Sequence, residues 1–233
     1  MTPIVYLHGL FGSSQDFSAY LRKEDLAIDL ALFDRETLSF DVLIEDLKEY
    51  LLNEKHLKHF HLIGYSLGGR IALQFKIRYP TICKKCIVIG SKLFLEDQEI
   101  QQRIIHQIVT ELKLAFYPLE LFFDDWYKAP LFQGFDLKTH LKNRLKINRF
   151  FHQKCLNQLS VFHQPDLTPL LEPYKKELFF LFGSKDLTYK QHYQKISLYG
   201  FQIKEILNAS HTAHLDQQQA CKKAMRKFLE YDN

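Results

Sequence analysis

The chain has 233 residues, 46% hydrophobic and 25% charged, with a formal net charge of +4 at pH 7. That balance suits one globular domain and excludes a disordered or fibrous chain, and so small and dispersed a basic excess leaves no footprint for nucleic acid. No run approaches the roughly 18 apolar residues of a membrane span, and no basic segment precedes an apolar core at the start, so a soluble cytoplasmic protein without membrane contact is expected.

The first apolar run, "PIVYLHG" (3–9), reads as a strand entering a glycine-bearing turn. "DLAIDLALF" (25–33) reads as a second strand, and 41–55 as a helix with Val42, Leu43, Leu47, Tyr50 and Leu51 on its apolar face. "HFHLIGYS" (59–66) is a third strand feeding a helix at 67–79, and "KCIVIGS" (85–91) a fourth strand. From about 96 to 172 the strand-like runs stop and helical spacing takes over, with Leu137, Leu141 and Leu145 followed by Phe151, Cys155 and Leu159. Strands resume at "ELFFLFGSKD" (177–186) and "FQIKEILNAS" (201–210), and 216–230 is a closing helix. Strands alternating with helices predict an α/β fold with a mostly parallel sheet flanked by helices. Residues 1–95 and 172–233 would form its core, and 96–171 a helical lid inserted between strands and packed on the sheet's C-terminal edge.

Four cysteines without a secretion signal argue for reduced thiols. Cys83 and Cys86 form a CxxC just before an apolar run rather than at a helix N-terminus, and no second ligand pair accompanies them, so neither redox chemistry nor zinc is expected. His56, His59 and His61 lack a completing carboxylate or thiol and read as structural. No metal and no cofactor are expected.

Gly64-Tyr65-Ser66-Leu67-Gly68 fits G-x-S-x-G and falls where that motif works, after a strand and before a helix. The glycines allow the tight turn that lifts a serine hydroxyl above the sheet, and the helix N-terminus favours negative charge beside it. Such a serine needs a base, and the base an orienting carboxylate. Asp186 and His211 follow successive strands after the insertion, in the chain order Ser, Asp, His that this architecture uses. His214, where the last helical stretch begins, is the competing base. "LHGLFGSS" supplies a turn in which the backbone N–H of Leu10 could join that of Leu67 as an oxyanion donor pair.

These stretches make the chain resemble the α/β-hydrolase superfamily over nearly its whole length. Within it the chain resembles the MenH family, the 2-succinyl-6-hydroxy-2,4-cyclohexadiene-1-carboxylate synthases of menaquinone biosynthesis. "LHGLFGS", "GYSLGGRIALQF", "DDWYKAPLF" (124–132), "RLKIN" (144–148), "HQPDL" (163–167) and "SHTAHLD" carry the likeness. The resemblance implies an α/β-hydrolase fold and a lyase that eliminates pyruvate from a succinyl-substituted cyclohexene dicarboxylate, beginning with removal of a ring proton. It implies a catalytic triad of Ser66, Asp186 and His211, with Tyr65, Arg70 and Trp126 in the substrate pocket and Arg103 and Arg144 as lid arginines.

The residues themselves agree in sign. A small substrate with several carboxylates needs fixed cationic forks, and Arg70, one turn into the helix that Ser66 opens, can aim one at the site. Lys138, Lys142, Arg144, Lys146, Arg149 and Lys154 crowd residues 137–154 with no acidic neighbour, although charge runs usually face water. The chain departs from the family pattern where "DLALFDRETLSF" replaces a Pro-Gly-His-Gly loop, at Thr188 and Tyr189, and at Ser210 before His211. The alternative enzyme is a carboxylesterase or thioesterase that acylates Ser66; a catalytically silent binding module is a third reading. A monomer or weak oligomer taking a small anionic carboxylate is expected.

Overall fold

A computed structural model describes residues 2–230; residue 1 and residues 231–233, the outer ends of the predicted core, lie outside it. The elements run β1 (Ile4–Leu7), β2 (Leu26–Ile28), α1 (Phe40–Glu49), β3 (Phe60–Tyr65), α2 (Leu67–Arg78), β4 (Cys83–Ile89) and α3 (Asp97–Phe116). They continue α4 (Leu119–Trp126), α5 (Leu137–Arg144), α6 (Arg149–Gln158), α7 (Thr168–Leu171), β5 (Leu178–Gly183), α8 (Leu187–Ser197), β6 (Gln202–Ile206), α9 (Ala213–Asp216) and α10 (Gln218–Glu230). The six strands form one sheet in the order β2-β1-β3-β4-β5-β6, and every pairing is parallel.

The register fixes where chemistry can occur. Leu7 lies opposite Gly64, Tyr65 opposite Ile89, Ile89 opposite Leu181 and Gly183 opposite Ile206. Strand ends are therefore level across the middle of the sheet, and the loops that follow β1, β3, β4, β5 and β6 share one edge, the place where parallel sheets bind ligands. Both faces are apolar, as a doubly covered parallel sheet requires. Val5, Leu62 and Val88 pack under α1 and α2, while Ile63, Ile87 and Leu181 pack under Met225 and Phe228 of α10.

Two glycines let these loops lean on one another. A Cβ on Gly68, in the first turn of α2, would run into the Leu7 carbonyl at the end of β1. A Cβ on Gly183, at the end of β5, would run into the Ser210 carbonyl beside His211.

Several sequence expectations need adjustment. The apolar run 25–33 is strand only over Leu26–Ile28; Asp29 then caps a 3-10 turn by accepting from the Ala31 N–H at 3.1 Å, and Leu30 and Phe33 are buried from that turn. The helix expected over 41–55 ends at Glu49 and continues as a wider turn over Tyr50–Glu54. Cys83 and Cys86 stand inside β4 rather than ahead of it. Burial pushes the Cys83 thiol up to about 12 and raises Cys86 as well, the reverse of a reactive pair. Among the described residues no cluster of three His, Cys, Asp or Glu is disposed to hold a metal ion, and no helix is long and apolar enough to cross a membrane.

The segment between β4 and β5 is helical from α3 to α7 and touches the strand-end loops. Phe11, after β1, packs with Leu114, Phe122, Phe123 and Leu156, while Phe151, Cys155 and Leu159 join the main core. Leu137, Leu141 and Leu145 pack half-buried against the same cluster as Phe11.

Candidate active site

Ser66 stands between β3 and α2 with φ 50° and ψ −110°, a positive φ that a side chain with a Cβ resists. The turn is held from both sides. The Ser66 N–H donates to Ile89 O at 2.8 Å, and the Ser91 hydroxyl donates to Ser66 O at 2.7 Å. Leu67 is the first helical residue, so its N–H is among those that no intrahelical carbonyl reaches.

His211 follows β6, and its ring joins the other two residues. Nδ1 lies 2.6 Å from Asp186 Oδ2, and Nε2 lies 3.4 Å from Ser66 Oγ, the long spacing common before a substrate tightens such a pair. Asp186 is fully buried, and its second oxygen caps α8 by accepting from the Tyr189 N–H at 3.2 Å, which fixes the carboxylate. The main chain of His211 is held too, its N–H donating to Leu131 O at 2.8 Å. The Phe132 ring meets the imidazole edge-on at 5.8 Å.

His214 is placed differently. It is fully buried, stacks on Phe17 at 4.9 Å and lies 4.3 Å from the Tyr65 ring, and neither ring nitrogen has a hydrogen-bond partner among the described residues. The contacts with Ser66 and Asp186 belong to His211.

After β1 the chain turns over Gly9–Gly12, closed by a Gly12 N–H to Gly9 O bond of 3.0 Å, with Phe11 at φ 59°. Leu10 occupies this turn. The strained Phe11 is clamped from the helical segment: its N–H donates to His152 Nδ1 at 3.2 Å, and Trp126 and Phe122 meet its ring edge-on at 4.9 and 5.0 Å. Trp126 is thus half-buried, with His106 at 5.9 Å on its other flank.

The arginines have opposite environments. Arg144 is buried against Asp16, with Nη1 at 2.8 and 3.1 Å from the two carboxylate oxygens, and its Nε donates to Tyr127 Oη at 2.8 Å. Burial opposes its charge, but Tyr127 and Asp16 outweigh that and hold it above the usual arginine range. Its charge is spent inside the protein. Arg70 has no carboxylate among the described residues: Nη1 donates to Leu159 O at 2.9 Å, and the guanidinium lies over Phe40 at 5.3 Å. Burial, with the like charge of Arg103 adding to it, pulls Arg70 down to about 10. Arg103 is exposed on α3 within electrostatic reach of both Arg70 and Tyr189. Tyr189 stands 4.4 Å from the His211 ring, and Tyr65 stands 5.3 Å from it, 6% exposed, its phenol raised well above 10 by burial. Of the basic run at 137–154, Lys138, Lys142 and Lys146 are exposed and Lys154 pairs with Asp34.

Buried neutral histidines give the protein an acid limit. Burial pulls His214 and His152 from 6.5 down to about 3 and His192 to about 4. Below pH 6.5 the unfolded chain takes protons that the folded chain refuses, so this stability is complete above 6.5 and lost as pH falls. Each histidine is expected to cost about 2 kcal/mol between pH 7 and pH 5. Denaturant unfolding at the two pH values measures the loss, and His214→Phe should lessen it by one histidine's share. An unchanged loss in that variant would mean that His214 protonates while folded.

Sequence reasoning missed several residues that now border the site. Leu131 and Phe132 are apolar residues with no reactive group to single them out, and nothing near Tyr189 in the sequence places it against His211. His152 and Asp16 gave no local signal, because their partners lie 141 and 128 positions away.

A family model described as the alpha/beta hydrolase family matches residues 4–224. The chain is 28% identical, over 99% of its length and 86% of the relative's, to a 2-succinyl-6-hydroxy-2,4-cyclohexadiene-1-carboxylate synthase of Photorhabdus laumondii. It is 29% identical to the synthase of that name from Yersinia pestis, covering 91% of this chain and 81% of that one. Among solved structures, MenH from S. aureus superposes with a TM-score of 0.83 at 24% identity, covering 98% of this chain and 93% of the other. A thermophilic esterase from Thermogutta terrifontis, malate bound, superposes at 0.78 with 16% identity, covering 98% and 89%.

Proposed function

Because the chain belongs to the alpha/beta hydrolase family, its site has an inherited frame, and we propose that this frame serves a lyase. The reaction is elimination of pyruvate from a succinyl-substituted cyclohexene dicarboxylate, the 2-succinyl-6-hydroxy-2,4-cyclohexadiene-1-carboxylate synthase step of menaquinone biosynthesis, in the cytoplasm. The observation that carries the reading is Arg70, a half-buried cation with no carboxylate partner among the described residues, one turn beyond Ser66. A small neutral ester gives such a charge nothing to bind, whereas a carboxylate completes it bidentately. The two relatives bearing this synthase name support the same choice.

In this reading Ser66 and His211 act together as the base, with Asp186 holding the imidazole and stabilising its charged form. The ring C–H pair becomes the new double bond, the C–O bond to the leaving group breaks, and pyruvate departs after regaining a proton at carbon. The N–H groups of Leu10 and Leu67 hold the negative charge that proton removal creates. Arg70 and Arg103 bind substrate carboxylates, Tyr65 and Trp126 wall the pocket, and Arg144 shapes it through Asp16 and Tyr127 rather than by direct ion pairing. Residues 96–171 act as the lid.

One observation favours a second reading. The strained Ser66 beside a long His211 contact is also the geometry of a nucleophile, so a carboxylesterase or thioesterase acting on a small acidic ester through acyl-Ser66 is the alternative. Pyruvate release from the cyclohexene substrate, followed with a lactate dehydrogenase couple, tests the lyase. The lyase predicts turnover and no burst with p-nitrophenyl acetate. A burst with acetylated Ser66 by mass spectrometry, and no pyruvate, would sink it.

A further inference from the structure

Helix α3 wears its apolar face outward. Ile104, Ile105, Ile108, Val109, Leu112 and Phe116 are all exposed, Ile105 by 64% and Phe116 by 79%. At 100° per residue they fall in one continuous stripe, opposite Thr110 and Leu114, the buried residues of the helix that face the body of the protein. Gln101 and Ala115 fill the stripe without adding charge. Tyr117 and Leu121, also exposed, extend it. The patch offers on the order of 800 Å² of surface, one partner's share of a standard interface and more than a monomer's largest apolar patch usually spans.

We propose that this face pairs with the same face of a second copy of the chain, the two α3 helices lying antiparallel across a two-fold axis near Ile108. The charges favour this occupant. Glu96 and Glu99, at the start of α3, are already bound to Lys195 and Lys92, and Lys113 near its end to Asp125. That leaves exposed Asp97 at one end. At the other is Arg149, which donates to the Ala115 and Tyr117 carbonyls and has no carboxylate among the described residues. An antiparallel pair brings Asp97 of each copy to Arg149 of the other, while the uncharged stripe closes without self-repulsion. A membrane surface fits less well, because α3 carries Asp97, Glu99 and Glu111 against Arg103 and Lys113, the opposite of the basic flank such helices use.

Light scattering and sedimentation of the full chain, from low to several hundred micromolar, should show the average mass rising towards that of two chains. Ile108→Asp and Ile108→Lys should each remain single, with unchanged thermal unfolding because Ile108 is 52% exposed, and the two mixed should recover the double species. Phe116→Ser, at the outer end of the stripe, should weaken association less. A wild-type chain that stays single throughout would overturn the proposal. So would variants that still associate, or wild-type protein that floats with anionic phosphatidylglycerol vesicles through Ile108 while remaining single in solution.

Discussion

Replacing Ser66 with alanine should lower pyruvate release about 10²- to 10⁴-fold, in kcat far more than in KM, the range a positioned acid–base group contributes. The hydroxyl lies 3.4 Å from His211 Nε2, whereas Arg70 reaches the site through another turn of α2, so substrate binding survives the change. His211→Gln should lose as much, and the double variant little more, because the two act as one unit. Stability separates the roles further. At φ 50° Ser66 is strained, so Ser66→Gly should be equally inactive yet about 1 kcal/mol more stable. Steady-state kinetics and denaturation midpoints on the same preparations read both effects. Alanine at position 66 retaining more than a tenth of the wild-type kcat would remove the hydroxyl from the mechanism.

Arg70→Met should reduce kcat/KM about 10²- to 10³-fold while making the free protein more stable, by about 1 kcal/mol. The guanidinium is half-buried with one carbonyl and an aromatic face for company, and desolvation drags its pKa down to about 10, so its charge is held at a cost in the free protein. A bound carboxylate relieves that cost. Succinate or a related diacid should therefore raise the melting temperature of wild type and leave Arg70→Met unmoved. Arg144→Met is the contrast: it strands Asp16 in the interior and should cost about 3 kcal/mol or more of stability, as breaking a buried pair does. If Arg70→Met melted lower than wild type and bound the diacid equally well, Arg70 would be a structural residue.

How much of this could be read in advance depended on distance along the chain. The turn around Ser66 was legible because its strand, glycines and helix are contiguous, and Asp186 and His211 because each ends an apolar run. The second strand was overrun because Leu30 and Phe33 bury themselves from a 3-10 turn as well as a strand would. The fate of Arg144 was hidden for another reason. In a run of six cations nothing local separates the one whose carboxylate waits 128 residues back from those facing water. Spacing also announced the amphipathic stripe of α3 without saying that it points outward, because periodicity gives the existence of an apolar face and not its direction.

Gly68 and Gly183 brace the loops of Ser66 and Asp186 against the Leu7 and Ser210 carbonyls by main chain alone. A strut made of backbone offers mutation almost nothing to alter: only a gained Cβ at either glycine can displace it. The side chains around it, Thr188, Tyr189 and Ser210 among them, can change without touching that brace, which leaves the line from Ser66 through His211 to Asp186 with its contacts of 3.4 and 2.6 Å. The frame that holds Ser66, Asp186 and His211 thus rests on backbone contacts and the space beside it on side chains, so mutation can reshape the second without dismantling the first.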